Sequence, residues 1–114
     1  MNRKQRRAEE RKKKSRKAGG RAGLERHFAL ALADHKKGLL IEAEKGYRKV
    51  LAVDSGHSFA LNNLSVIANQ TNDPKAALEL AERTLALKPD YAEAHCNKAN
   101  ALAELGRLDE AVAG

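Results

Sequence analysis

The feature that most constrains this chain is a repeat, because residue types recur along it at a spacing of 34 residues. Small residues occupy two of the recurring columns, and a turn-forming residue occupies a third. Helices approach closely only where side chains are small, so we predict that the small columns are buried at helix crossings. The first small column is Ala31, Ser65 and Ala99, the second is Ala43, Ala77 and Ala111, and the turn column is Gly38, Asn72 and Gly106. A period of this length is typical of arrays in which each unit is one pair of helices. A single pair cannot bury its apolar face, so we predict that the units stack side by side.

The apolar spacing and the helix-breaking residues predict where each helix begins and ends. Helices are predicted over residues 24–37, 40–53, 58–70, 74–87, 92–104 and 108–114. Asp73 followed by Pro74 is typical of a helix start, and Pro89 is typical of a helix end, since proline lacks the N–H that an interior position needs. Gly38 and Gly106 are predicted to adopt the left-handed conformation that closes a helix. No segment alternates as a strand does, so the predicted fold class is all-α.

The period and the columns resemble the tetratricopeptide repeat family, whose pattern places bulky, small and aromatic residues at fixed positions of two helices. The matching residues are Leu61, Leu64, Ser65, Ala77, Ala81, Thr84 and Pro89 in the second unit, His27, Leu30, Ala31, Ala43, Tyr47, Val50 and Ser55 in the first, and His95, Lys98, Ala99 and Ala111 in the third. Lys98 replaces a leucine of the family pattern, Ala81 replaces an aromatic residue, and Ser55 replaces a proline. The resemblance implies a right-handed superhelical solenoid of antiparallel helix pairs.

The charge divides the chain into two parts. Residues 1–22 have a net charge of +9, whereas residues 23–114 have a net charge of −2. The first part has no apolar side chain larger than alanine apart from Met1, so burial cannot order it. We predict a disordered or fraying-helix tail and a repeat array. Their limits are 1–23 for the tail and 24–114 for the array, with units at 24–57, 58–91 and 92–114.

In arrays of this family the first helix of each pair lines a concave groove, and the resemblance places a peptide-binding site there. The expected groove residues are Phe28, Phe59, Asn62, Asn63, Val66, Asn69, Gln70, Asn97 and Asn100. An amide side chain both donates and accepts, so it pairs with a peptide unit of any sequence. Asn63 and Asn97 share one repeat position and resemble the asparagine ladder of O-linked N-acetylglucosamine transferases. We predict that this pair binds peptide backbone, with Asn62, Asn69 and Asn100 as secondary partners.

The residues that could carry chemistry do not form a catalytic pattern. The four histidines are His27, His35, His57 and His95. Cys96, the single cysteine, is adjacent to His95, and adjacent residues point to different faces of a helix, so they make a poor metal pair. The chain has no glycine-rich phosphate loop, nucleophile elbow or zinc-ligand spacing. We therefore expect no enzyme activity in these residues, no cofactor, no metal and no small-molecule substrate.

Three functions fit the sequence. The first is a scaffold that binds a protein or an extended peptide in the groove. The second is the substrate-recognition arm of a larger glycosyltransferase, because the third unit resembles repeats fused to such bacterial enzymes. The third is association of the tail with RNA, DNA or an anionic membrane, since clustered basic residues bind phosphate through charge. The side chains expected to act there are Arg3, Lys4, Arg6, Arg7, Arg11, Lys12, Lys13, Lys14, Arg16 and Lys17.

The end of the sequence and its start give two further expectations. The third unit stops within its second helix and has no polar capping helix. We expect a fragment of a longer array, whose uncovered apolar flank favours self-association. The basic start is not followed by an apolar segment, and no run of about 18 apolar residues occurs, so we expect a cytoplasmic protein.

Overall fold

The structure, a computed structural model, describes Asn2 and residues 23–113, with side chains described as far as Arg107. This part of the chain has five helices and no strand, which confirms the all-α fold class. The helices are α1 at 23–36, α2 at Leu40–Val53, α3 at Ser58–Gln70, α4 at Pro74–Leu87 and α5 at Ala92–Ala113. No helix within the described residues is long and apolar enough to cross a lipid bilayer.

Most helix limits agree with the sequence prediction. The helices α2, α3 and α4 begin and end at the predicted residues, and α1 ends one residue earlier than predicted. Gly38 and Asn72 have positive φ angles of 79° and 61°, so both close a helix in the left-handed conformation. Glycine adopts that conformation without strain, and asparagine tolerates it better than most residues.

The predicted turn at Gly106 is wrong. One continuous helix, α5, replaces the two helices predicted for this part of the chain. An interior glycine costs a helix only about 1 kcal/mol, which favourable neighbours offset. No proline follows Gly106 in the way that Pro74 follows the turn before α4. The ion pair of Glu104 with Arg107, at 2.9 Å, also connects the turns on either side of the glycine.

Side chains cap the starts of α3 and α4. Asp73 Oδ1 accepts a hydrogen bond from the Ala76 N–H at 3.3 Å, and Pro74 occupies the first turn, which confirms the predicted helix start. His57 Nδ1 accepts from the Ala60 N–H at 3.1 Å. The sequence did not predict the histidine cap, because the usual N-cap residues are serine, threonine, aspartate and asparagine.

The small columns let the helices of the first two units approach closely. Ala31, Ala43, Ser65 and Ala77 are each at most 1% exposed, as predicted. The Ser65 hydroxyl donates to the Ala77 carbonyl at 2.8 Å. A Cβ atom placed on Gly46 would lie 2.7 Å from the Ala31 Cβ, so α1 and α2 meet almost backbone to backbone.

The same column is not buried in the third unit. Ala99 is exposed, which corrects the prediction that it lies at a helix crossing. In the first two units this column packs against the returning second helix, whereas α5 continues straight and provides no returning helix. Leu102, one turn further along α5, is 49% exposed for the same reason.

The apolar core has two parts that meet at α3. The larger cluster joins α1, α2 and α3, and its buried members are Ala31, Ala43, Tyr47, Val50, Ala60, Leu64 and Ile67. The smaller cluster joins α3, α4 and α5 through Ala68, Ala77 and Ala101. Because α3 contacts α2, α4 and α5, it holds the array together and forms the middle of the groove wall.

Candidate functional site

The predicted groove residues lie on α1, α3 and α5, the first helices of the three units, and they differ in exposure. Phe59, Gln70 and Asn100 are exposed, Phe28, Asn63, Val66 and Asn69 are half-buried, and Asn62 and Asn97 are buried. Amide groups thus reach the surface at several points along α3 and α5. The basic side chains predicted to act in the tail lie outside the described residues.

Two buried asparagines connect the second and third units. Asn97 Nδ2 donates to Asn62 Oδ1 at 2.9 Å, and Asn62 Nδ2 donates to a carboxylate oxygen of Glu93 at 3.0 Å. Asn69 Nδ2 donates to the backbone carbonyl of Asn97 at 3.2 Å. Asn62 is 0% exposed, which corrects the prediction that it contacts a peptide directly. Its role is to fix Asn97 and the rotation of α5 against α3.

A second set of hydrogen bonds connects the first and second units. The His35 ring lies between Tyr47, whose hydroxyl is 3.2 Å from Nδ1, and Gln70, whose Oε1 is 3.0 Å from Nε2. Burial raises the pKa of Tyr47 above its ordinary value, and the Asn63 side chain offsets part of that rise. The phenol therefore keeps its proton at neutral pH.

Aromatic rings follow one edge of the groove across the first two units. Phe28 lies 4.8 Å from His57, and His57 lies 6.1 Å from Phe59, both measured between ring centroids. Tyr91 follows at 6.0 Å from Phe59, and the Lys88 ammonium is 4.6 Å from the Phe59 centroid. With half of Phe59 exposed, this edge offers an apolar surface next to a cation.

A cleft of about 550 Å³ opens between α3, the start of α4 and α5. The residues that line it are Asn69, Asn72, Pro74, Asn100, Ala103, Glu104 and Arg107. Three of these seven are asparagines, and Glu104 and Arg107 neutralise each other in an ion pair. The cleft therefore offers neutral donors and acceptors rather than a net charge. Neutral amides of this kind suit peptide units, which carry one donor and one acceptor each.

The groups that could react chemically remain apart. No group of three His, Cys, Asp or Glu residues within the described part of the chain could hold a metal ion. His95 is exposed, and its Nε2 donates a hydrogen bond to the Pro89 carbonyl at 2.7 Å. The ring therefore stabilises the loop before α5. Cys96 is a free thiol exposed on α5.

Several functional contacts escaped the sequence analysis. The bonds of His35 to Tyr47 and Gln70 join residues 12 and 35 positions apart, and only the packing of the helices brings them together. The family resemblance implied that Asn62 and Asn97 face the groove, but it did not show that they bond to each other. The sequence feature that could have predicted the contact is that asparagines recur on the equivalent helices α3 and α5.

Comparison with known families identifies one part of the chain. Residues 68–113 match the sequence model of the tetratricopeptide repeat. No curated protein matches the chain. Repeats of this family generally mediate interactions between proteins. The match covers α4 and α5 with the end of α3, and the helices before it continue the same packing. Residues 68–113 are therefore tetratricopeptide repeat sequence, and the array to which they belong has the all-α fold of that family.

Proposed function

We propose that the chain is a scaffold that binds an extended peptide along α3 and α5. The observation that carries the proposal is the cleft between these helices, which is lined by Asn69, Asn72 and Asn100. Asn100 is exposed, and no hydrogen bond inside the described chain occupies its side chain. Asn69 keeps an acceptor oxygen beside it. Phe59, half exposed at the start of α3, offers a surface on which an apolar side chain of the peptide would pack.

One of the two ladder asparagines, Asn97, is held in place before any peptide binds. Its Nδ2 donates to Asn62 Oδ1, so one side of its carboxamide is fixed, while Asn63 is half-buried at the equivalent position of α3. A fixed side chain loses little conformational entropy when a ligand binds. In the proposal Asn63 and Asn97 bond to peptide backbone, Asn69 and Asn100 assist, and Asn62 only positions Asn97.

A titration of substituted chains tests the proposal. Peptides would be selected from a random library against the chain, and several of unrelated sequence would be titrated against each variant. Asn100→Ala removes one hydrogen bond to a bound peptide, so we expect the Kd to rise about two- to twelvefold, as a net 0.5–1.5 kcal/mol implies. The Asn63→Ala/Asn97→Ala double variant should lose more. Because backbone is bound, the loss should be similar for all of the peptides.

Arg83→Ala provides the control, because Arg83 is exposed on α4, outside the cleft. It should leave every Kd unchanged. Thermal unfolding of each variant shows whether the array stays folded, which matters for Asn97 because it bonds within the array. An unchanged Kd for both asparagine variants would contradict the proposal and assign these amides to packing alone.

The tail gives a second candidate function. Its net charge of +9 over residues 1–22 favours association with an anionic polymer or membrane, whereas the array carries −2. We expect a chain that lacks residues 1–22 to lose binding to RNA and to phosphatidylserine vesicles while its helix content per residue rises. Equal binding by the shortened chain would exclude the tail as the site that binds RNA or the vesicles. A cytoplasmic location is part of this proposal, since both partners are available there.

A further inference from the structure

The first unit of the array exposes large apolar side chains. Leu30 on α1 is 56% exposed, and Leu39 and Ile41, at the start of α2, are exposed as well. Leu64 has the repeat position of Leu30 on the next unit, and it is only 3% exposed. It belongs to the larger core cluster together with Ala31 of the preceding unit. The position of Leu30 is therefore one that a preceding unit covers inside the array.

The opposite end of the array exposes the surface on which such a position packs. Ala99 on α5 has the repeat position of Ala31, and both Ala99 and Leu102 are exposed. Inside the array Leu64 and Ala31 belong to one core cluster. A second copy of the chain, stacked next to α5 in the frame of the repeats, would place its Leu30 beside Ala99. The contact between the copies would thus repeat the packing of the second unit on the first.

The charges at the two ends have opposite signs. Residues 1–22, which lead into α1, have a net charge of +9. The last helix, α5, contains four acidic and two basic side chains, whereas residues 23–91 contain acidic and basic side chains in equal number. Opposite charges favour an encounter between unlike ends of two copies, and like charges oppose an encounter between like ends.

We propose that the surface around Leu30 of one chain binds the exposed face of α5 in a second chain. Residues 1–22 of the same chain do not supply this partner, because they have no apolar side chain larger than alanine apart from Met1. The two contacting surfaces differ, so the association is head-to-tail and adds further copies in one direction. Because the contact joins separate chains, Leu102 stays exposed in the monomer and becomes covered as the protein concentration rises.

Sedimentation velocity of the full chain tests the inference. We expect the mean mass to rise beyond that of a dimer between about 1 μM and 1 mM, and to rise less in high salt because salt screens the charges. Leu30→Glu blocks the amino-terminal end, and Leu102→Glu blocks α5. Each variant buries an unpaired carboxylate in the contact, so the Kd of association should rise at least about tenfold for either variant alone.

An equimolar mixture of the two variants distinguishes head-to-tail association from other kinds. The Leu30→Glu chain keeps its α5 face and the Leu102→Glu chain keeps its amino-terminal end, so the mixture should form a dimer with one chain of each kind and nothing larger. Leu87→Glu is the matched control, because Leu87 is also 49% exposed but lies in the middle unit. It should associate as the wild type does.

Three results would overturn the inference. The first is a wild-type chain that remains monomeric up to about 1 mM, a concentration at which even a weak contact forms. The second is association that Leu102→Glu abolishes and Leu30→Glu does not, since α5 would then pair with itself. The third is a mixture of the two variants that stays monomeric. All three substituted positions are exposed, and circular dichroism shows whether each variant keeps its helix content.

Discussion

Three buried polar side chains, Asn62, Ser65 and Thr84, each have a hydrogen-bond partner inside the array. Thr84 donates to the Leu80 carbonyl at 2.8 Å, Ser65 donates to the Ala77 carbonyl at 2.8 Å, and Asn62 bonds to the third unit. No buried side-chain nitrogen or oxygen among the described residues lacks a partner. An unpaired group would cost about 1–3 kcal/mol. The Ser65 and Asn62 bonds join different helices, so they favour one rotation of each helix on its neighbour, whereas the Thr84 bond lies within α4.

Alkaline stability tests the environment of Tyr47. Burial raises the pKa of Tyr47 above the ordinary value of 10.0, so the folded chain holds this proton more tightly than the unfolded chain does. That stabilisation is complete below pH 10.0 and is lost as the pH rises through the folded pKa. We expect the free energy of unfolding above pH 10.0 to fall more steeply in wild type than in Tyr47→Phe.

The comparison controls for other groups that titrate in the same range. The lysines are common to both chains, and so is Tyr91, whose pKa is raised by burial and by the charge of Glu93. Urea unfolding at a series of pH values measures the difference between the two slopes. Parallel slopes would show that the Tyr47 hydroxyl is no more buried in the folded chain than in the unfolded one.

At the scale of helices, the sequence predicts those elements that carry their own start and stop signals. The limits of α4 follow from Asp73, Pro74 and Pro89, and the start of α2 follows from Gly38. The straight course of α5 does not follow from the sequence, because Gly106 fits both a turn and a helix interior. The choice between them depends on packing partners, which a residue pattern does not describe.

Alanine at the two glycines distinguishes a turn from a helix interior. Gly38 has a φ of 79°, where an alanine is strained by about 1–2 kcal/mol, so Gly38→Ala should destabilise the array. Gly106 lies inside α5 with no atom within 4 Å of a new Cβ, so Gly106→Ala should stabilise it by about 0.5–1 kcal/mol. Chemical unfolding measures both. A loss of stability in Gly106→Ala would instead place this glycine in a left-handed turn.

The predictability of the binding surface also depends on packing. The repeat period gave the equivalent positions of α3 and α5, and the family resemblance implied which of those positions face the groove. It did not distinguish the buried Asn97 from the exposed Asn100, since their exposure depends on how far α5 rotates against α3. A pattern of residues gives the face of a helix but not the distance to its neighbour.

Across the whole molecule, stability is concentrated in the middle of the array. The helix α3 contacts α2, α4 and α5, whereas the exposed face of α5 has no partner among the described residues. Each contact joins helices that are close in sequence, which is typical of solenoids and favours rapid folding. Substitutions in α3 should therefore lower the free energy of unfolding more than substitutions on the exposed face of α5.

A matched pair of leucines tests this distribution. Leu64 on α3 is 3% exposed, and Leu64→Ala should cost about 2–5 kcal/mol because it leaves a cavity in the core. Leu102 on α5 is 49% exposed, and Leu102→Ala should change the free energy of unfolding by no more than about 0.5 kcal/mol. Urea unfolding compares the two. Similar losses for both variants would show that a further helix covers the outer face of α5 in solution.

The exposed Cys96 gives the protein its own attachment point for a spectroscopic label. The sequence contains a single cysteine, so a thiol-reactive fluorophore attaches at one place without any engineered substitution. That place is next to Asn97, on the helix that forms one wall of the cleft. A fluorophore there would report the entry of the proposed peptide if its emission changes on titration. The natural thiol thus makes the groove directly observable in a chain that has no tryptophan.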